Sequence, residues 1–396
     1  MKKIAIIGAG ASGLLCAIKC AKGSHAVDLY EQNKNIGKKI LVSGNGKCNI
    51  TNTSVSKSDY FSQNTSFVEE ALNHYTYKEF EKFCHSIGLI LYAKEDGKVY
   101  PLSNEAKSVV NILEDTAVNF GVNIITDTKI TNIKDLVSKY DAVVIATGSE
   151  AASHLGGCSD GLEFAKEFNH TIIPTYPALV QLELQNSPHA KMSGSKVEGE
   201  VILMINNQKS AHISGDILFT PYGVSGFSIL DLSREASEAM LNYSAVDLIV
   251  NLLPKYSHQK LSNYLSGLSK SLEKFKILNA LHALLPLKIA KTILDVLAIA
   301  YDTQLQTLNM KDFKRISNQC LNWKFEVSNT HGFRHAEVAG GGVNVQEINP
   351  KTMESLKQKN LYFCGEVLDV VGRRGGFNFA WAWASGYHAA KHISKE

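Results

Sequence analysis

Residues 3–31, KIAIIGAGASGLLCAIKCAKGSHAVDLYE, decide the fold. Lys3–Ile7 reads as a buried parallel strand, residues 11–22 as a helix, and residues 26–30 as a second strand ending at Glu31. The turn from strand to helix is Gly8-Ala9-Gly10-Ala11-Ser12-Gly13. In such a turn Gly8 permits the sharp bend, Gly10 lets the backbone approach a pyrophosphate, and Gly13 lets the helix pack close to the sheet. The opening of the helix then offers free N–H groups and a positive dipole end to phosphates. Glu31 stands where an acid accepts from an adenosine ribose hydroxyl, and a glutamate there disfavours a 2′-phosphate. Strand, glycines, helix and acid together make this a dinucleotide fingerprint rather than a bare glycine turn.

The fingerprint alone does not separate NAD from FAD, but three later stretches do. Gly37-Lys38-Lys39-Ile40-Leu41-Val42-Ser43-Gly44-Asn45-Gly46-Lys47-Cys48-Asn49-Ile50-Thr51-Asn52 is long, glycine-rich and polar, directly after the ribose acid. FAD is the longer molecule and must be held beyond its pyrophosphate. The alternative for this stretch is an irregular surface loop. A buried strand at Asp141–Ala146 then runs into Thr147 and Gly148, and a strand ending in Ala146-Thr147-Gly148 recurs in flavoproteins with two dinucleotide sites. Finally, a strand at 361–364 leads to Gly365, Glu366 and Asp369, followed by Gly375, Gly376, Phe377 and Asn378 at the opening of a last helix, about 378 to 393. Asp369 is expected on the ribityl hydroxyls, its alternative being a helix-capping carboxylate. The last helix would aim its N-terminus at the flavin's pyrimidine edge. Gln32, Lys39, Ser43, Gly44, Asn45, Gly46, Cys48, Asn49 and Ile130 complete the expected cofactor-binding set.

Outward from these stretches, helices are expected near 67–73, 77–87 and 104–120, and a strand near 122–126. After Pro174 and Pro177 the pattern changes. Segments 178–184, 197–205 and 216–220 read as antiparallel strands, with a turn signal at Asn206-Asn207. From 246 to 318 the apolar spacing becomes helical. The α/β pattern returns after about 335 with Gly340-Gly341-Gly342. The expected fold class is therefore α/β: a Rossmann-type FAD-binding domain split by an inserted β-barrel-like domain that carries a small helical subdomain. The FAD-binding domain takes 1–175 and 335–396, the β-rich insertion 176–245 and 319–334, and the helical part 246–318.

The chain's 396 residues, 44% hydrophobic, suffice for such a multi-part core. A net charge of only +3 excludes a polybasic nucleic-acid or membrane binder as a whole. Residues 255–291 carry seven lysines against one acid, Glu273, and read as a solvated helical face. The seven cysteines are scattered, with no C-x-x-C, which fits a reducing, cytoplasmic setting and neither a disulfide framework nor a zinc site. Cys16 and Cys20 read as small core residues. The opening apolar run is broken by three glycines and closed by Lys19 and Lys22, unlike a signal peptide. No membrane span is expected.

The motifs GAGASGLLCA, GKKILVSGNGKCNITN, VYPLSNEAKSVV, GDILFTPYGVSG, EVAGGGV, TMES and LYFCGEVLDVVGRRGGFNFAWAWASGY, in this order, resemble those of the aminoacetone-oxidase-like, BaiN-type FAD-binding flavoproteins, over essentially the whole chain. The resemblance implies the same three parts and an NAD(P)/FAD-dependent oxidoreductase. The chain departs from the family pattern at Lys47, where arginine is usual. It departs again at Gly157-Cys158-Ser159-Asp160-Gly161, at Thr220-Pro221-Tyr222, at Phe227 and at Arg373-Arg374. The departures at 220–227 bear on the substrate pocket rather than on the FAD site.

The expected activity is that of an FAD-dependent oxidoreductase acting on a small organic substrate at the interface of the FAD domain and the inserted domain. Only one GxGxxG is present, so electrons come either from the substrate, as in an oxidase, or from a transiently docked NAD(P)H, as in a reductase. A tRNA-associated FAD protein and a flavin-binding protein without turnover are the alternatives. Cys48 and Arg373 are the candidate catalytic residues. Cys48 has no nearby partner for a dithiol and reads first as a packed or backbone-supporting thiol, with a lone reactive thiol as the alternative. Arg373 and Arg374 abut the expected flavin edge. No serine–histidine–acid set is apparent. The histidine pairs His331/His335 and His388/His392 read as solvated helix or loop residues rather than metal ligands, the first pair lying where the chain returns to the FAD domain.

Overall fold

A computed structural model describes every residue of the chain except Asn186, Glu273, Lys395 and Glu396. The acid at 273 noted above therefore lies outside the described residues. The chain divides into two compact units, Met1–Tyr176 with Glu337–Glu396, and Pro177–Ala336.

In the first unit, the described residues form a sheet of five parallel strands. Their order is Leu361–Phe363, Ala142–Ile145, Lys3–Ile7, Ala26–Tyr30 and Asn123–Ile125. Ile4, Ala5 and Ile6 are wholly buried, as a central parallel strand covered on both faces must be. The first helix, Ala11–Lys22, packs against the last, Phe377–Ile393, so the two ends of the chain share one core. Gly386 permits that approach, since a Cβ there would lie 2.4 Å from the Ser12 carbonyl oxygen. The expected helices are found at Phe67–His74, Tyr77–Ser86 and Ala106–Asn119. Smaller pairings accompany the sheet: Thr51–Asn52 with Lys98–Pro101 and Tyr60–Phe61 with Val371–Gly372, both antiparallel, and Ile172–Ala178 with Val338–Val343.

The second unit is a closed barrel, in the order Leu182–Gln185, Gly223–Ser225, Gln208–Phe219, Lys196–Ile205, Val246–Asn251 and Trp323–Thr330. Helix Phe227–Leu241 packs on it. Helices His258–Ser271, Ile277–His282, Leu287–Leu297 and Met310–Leu321 join the same apolar cluster.

Two expectations are corrected, and one helix is new. Residues 246–251 form a strand that closes the barrel, not the start of the helical stretch. Val246, Leu248 and Val250 alternate into the core while Asp247 pairs with Lys324, a period of two that the following helical spacing masks. The strand expected at 216–220 begins at Gln208, because Ser210, His212 and Ser214 alternate with Ala211 and Ile213 on a long ribbon. Helix Phe227–Leu241 had no sequence expectation. Among the described residues, no helix is long and apolar enough to cross a membrane.

Candidate functional site

The glycine turn sits where the fingerprint requires. Gly8 has φ +105°, and a Cβ there would lie 2.4 Å from the Ala146 carbonyl oxygen. A Cβ on Gly13 would lie 1.9 Å from the Gly8 oxygen, so strand, turn and helix touch backbone to backbone. A Cβ on Gly10, by contrast, would meet nothing within 4 Å. That open space fronts a helix whose cap residue has no side chain to satisfy the first-turn N–H groups. Ala9 is buried, Ala11 half-buried, and Ser12 lies beside the Cys364 thiol.

Glu31 braces this turn. Its Oε2 accepts from the Ala9 N–H at 3.0 Å, and its Oε1 from the Asn33 backbone and side-chain N–H groups at 2.9 and 2.6 Å. Gln32 donates to the Gly156 carbonyl at 2.8 Å, and so ties the acid's strand to the loop that leads into helix Asp160–Glu167. Ile130 packs half-buried against the core of this unit.

The stretch after the acid is a short helix, Lys38–Val42, and a loop in which Gly44, Asn45, Gly46 and Cys48 all have positive φ. The Cys48 N–H closes the loop onto the Ser43 carbonyl at 2.9 Å. Burial pushes the Cys48 thiol up to about 12, so it holds no thiolate at neutral pH. Asn49 follows, and its side-chain Oδ1 is buried without a partner. So is Thr147 Oγ1, at the end of strand Ala142–Ile145, between Ala146 and Gly148.

Glu366 joins four distant segments. Its Oε2 lies 2.7 Å from Lys39 Nζ, and its Oε1 accepts from Ser149 Oγ and from the Ala339 N–H, both at 2.8 Å. Gly365 is fixed beside it by Ser385 Oγ and by the indole of Trp381. Asp369 is buried and accepts from the Gln63 N–H at 3.0 Å and Ser62 Oγ at 3.4 Å, a loop-bracing role among its contacts. At the last helix, Gly376 lies against Thr51, and the Gly375 carbonyl accepts from Asn52 at 2.9 Å. Asn378 clasps the Gly372 backbone at both its N–H and its carbonyl. Arg373 pairs with the buried Asp59 at 2.6 Å and lies over the Phe377 ring at 4.6 Å.

These residues fit FAD. An open space above Gly10, two glycine-capped helix starts, an orphaned buried oxygen at Asn49 beside Gly376 and another at Thr147 facing Gly161 all lie in one unit. Two orphaned buried acceptors would each cost about 1–3 kcal/mol if left unpaired, which a hydroxyl- and amide-bearing ligand offsets.

Several groups sit differently from their sequence reading. His388 is buried, not solvated, with Nδ1 on the Lys351 carbonyl at 2.9 Å, because the last helix buries nearly its whole circumference. His392 meets the Tyr362 hydroxyl at 3.1 Å. His331 is half-buried against Glu183 and Tyr222. A serine–histidine–acid set invisible in the sequence also exists. His170 Nε2 lies 2.7 Å from Ser355 Oγ, and its Nδ1 lies 3.2 Å from Glu347. Ser355 Oγ, however, already accepts from the Lys357 and Gln358 N–H groups at 3.0 and 2.9 Å, so it is spent as a turn cap. Burial works against the charge on Glu347, but Lys357 and Thr171 outweigh it and hold the carboxyl at about 2.

The family described as HI0933-like protein Rossmann domain matches residues 2–392. A 3-dehydro-bile acid delta(4,6)-reductase of Clostridium scindens is 32% identical, over 99% of this chain and 98% of that protein. A ribosomal RNA dihydrouridine synthase of Haemophilus influenzae is 31% identical over the same shares. In three dimensions, a 3-ketosteroid delta1-dehydrogenase from Sterolibacterium denitrificans aligns over the whole of both chains, with TM-score 0.50 at 11% identity, a likeness of fold.

Proposed function

The chain belongs to the HI0933-like Rossmann family and is an FAD-dependent oxidoreductase; from that premise we propose that it is a reductase of carbon–carbon double bonds conjugated to a carbonyl. The cradle of orphaned acceptors and uncapped helix starts carries the FAD assignment. The relatives' names supply the substrate class. A delta(4,6)-reductase acting on a 3-dehydro compound saturates ring double bonds in conjugation with a ketone. Dihydrouridine arises by saturating a ring double bond conjugated with a carbonyl. The two activities share one bond type, and at about 30% identity over the full length this chain is related to both alike.

When bound, FAD supplies hydride transfer. The chain's own residues do the holding. First-turn N–H groups after Gly10 take the diphosphate, Glu31 the ribose, and Asn49 a polar group further along the molecule. The Lys39–Glu366 pair keeps the segments that bear them in register. Electrons arrive from a nicotinamide that docks transiently.

The experiment is anaerobic stopped-flow. NADH or NADPH should bleach the yellow protein, and conjugated enones should restore its colour, whereas amines should leave the oxidised flavin unchanged. A flavin reduced by amines and indifferent to enones would instead make this an oxidase.

A second reading, in which the double bond sits in RNA, is favoured by the exposed Lys255, Lys260, Lys270, Lys274, Lys276 and Lys288. A gel shift with ribosomal RNA whose affinity falls steeply with salt would support it, and one without salt dependence would remove it.

A further inference from the structure

We propose that Asn49 is the residue that reads the flavin ring: its side-chain Oδ1 accepts from the ring's N3–H, while the start of the last helix donates to the carbonyl beside it. This rests on the FAD assignment above, not on the substrate class, and it involves only the unit that holds the cofactor.

The backbone pins Asn49 from both sides. Before it, the Cys48 N–H is bound to the Ser43 carbonyl at 2.9 Å. After it, the Ile50 N–H is bound to the Val99 carbonyl at 2.9 Å, and the Ile50 carbonyl accepts from the Trp383 indole at 2.8 Å. Thr51–Asn52 then pairs with Lys98–Pro101, and Asn52 donates to the Gly375 carbonyl at 2.9 Å. Asn49 and Thr51, two residues apart, meet the same glycine. A Cβ on Gly376 would lie 2.3 Å from the Thr51 carbonyl oxygen and 3.1 Å from Asn49 Oδ1. Asn49 Oδ1 therefore stands at the opening of helix Phe377–Ile393.

That opening has donors left over. Its cap is Gly376, at φ +96°, which has no side chain to bind the first-turn N–H groups. Asn378 is in the first turn, but its side chain is committed to the Gly372 N–H and carbonyl. The helix runs 17 residues, so the positive end of its dipole backs these donors. Asn49 Oδ1 stands beside them, caps none of them, and is buried without any partner. A buried acceptor left in that state costs about 1–3 kcal/mol, which a donor on the ligand removes.

A group seated there must present an acceptor and a donor side by side. The diphosphate offers acceptors alone, and the open space at Gly10 on the first helix takes it. The adenosine end falls to Glu31. Ribityl hydroxyls can accept and donate, but they sit on a freely turning chain. The imide edge of the flavin ring holds N3–H rigidly between C2=O and C4=O. N3–H meets the lone acceptor, and a flanking carbonyl meets the helix N–H groups.

The test uses the full-length holoprotein loaded with FAD that is 15N-labelled in its ring. The N3–H proton should exchange with solvent more slowly than in free FAD. N49A should speed that exchange and move the N3 resonance, whereas N49D, which keeps an oxygen in place, should retain slow exchange. In parallel, each holoprotein is equilibrated with an excess of N3-methyl-FAD and the flavin it retains is weighed by mass spectrometry. Wild type should prefer FAD over its N3-methyl form by about tenfold or more, and N49A should lose that preference. Exchange in wild type as fast as in free FAD, or N3-methyl-FAD retained as well as FAD, overturns the proposal. So does a preference against ribityl-deoxygenated FAD that N49A abolishes, since it moves the contact to the ribityl chain. A full-length protein that holds no flavin refutes the FAD assignment as well, whereas one that holds FAD without regard to N3 refutes this pairing alone.

Discussion

Lys39 Nζ and Glu366 Oε2 lie 2.7 Å apart although 327 residues separate them in sequence. The contact fastens the segment after the ribose acid to the strand end that returns from the far side of the barrel insertion. Ser149 and Ala339 share the same carboxylate. Replacing Glu366 by glutamine removes the charge that three donors converge on. The expected loss is about 1–3 kcal/mol of stability. Flavin should also be held about tenfold more weakly. Calorimetry and an FAD titration of E366Q check both, and an unchanged melting temperature with unchanged affinity would contradict the staple role.

The glycine turn separates packing from binding. A Cβ on Gly13 would run into the Gly8 carbonyl, whereas one on Gly10 would enter open space. G13A should therefore destabilise the fold, by more than about 2 kcal/mol. G10A should melt as the apoprotein does and yet purify colourless, because its methyl occupies the diphosphate's place. Equal colour in G10A and wild type would refute that placement.

Acid should weaken the first unit partly through His170. Burial lowers its pKa, with Glu347 offsetting part of the effect. The unfolded chain binds this proton near the ordinary value of about 6.5 and the folded chain only at lower pH. The stabilisation is therefore complete above that value and is lost as pH falls through the folded one. Between about pH 8 and pH 5, wild type should lose melting temperature more steeply than H170Q. Parallel curves would dismiss the contribution.

Thiol chemistry tests the fate of Cys48. Its thiol is buried and pushed up to about 12, while Cys158 alone of the seven cysteines is partly exposed. A thiol-specific chromogenic reagent should titrate one group in the native protein, lost in C158S, and the remainder only after denaturation. C48S should keep its flavin and its turnover within about twofold, as expected of a substitution that removes no reactive group. A native protein whose fast-reacting thiol survives in C158S and vanishes in C48S would restore Cys48 as a reactive residue.

The first unit was legible because its signals are local. Three glycines, a flanking helix and an acid at fixed spacing can be read from neighbours in sequence, and strand 3–7 is apolar without interruption. What escaped depends on partners that sequence distance hides. Asp369 braces residues 62 and 63, Arg373 answers Asp59, and His170 meets Ser355 across 185 residues. The strand at 246–251 escaped for a different reason. Its six residues alternate correctly, but they abut a long stretch of helical spacing that outweighs them in any window. The Glu183–His331 contact arises only once the barrel closes, and neither residue has a local signature.

Leu361–Phe363 lies beside Ala142–Ile145, so the nucleotide-gripping sheet is completed by residues that follow the barrel insertion in sequence. Until they emerge, the Ala142–Ile145 edge is bare and the first helix lacks its C-terminal neighbour. A chain that stops before residue 361 thus displays an unpaired strand and an apolar helical face, the features that chaperones and proteases seize. Retaining a yellow colour should therefore report that residues 361–363 have docked, because the strand beside Ala146 and Thr147 is covered only by them.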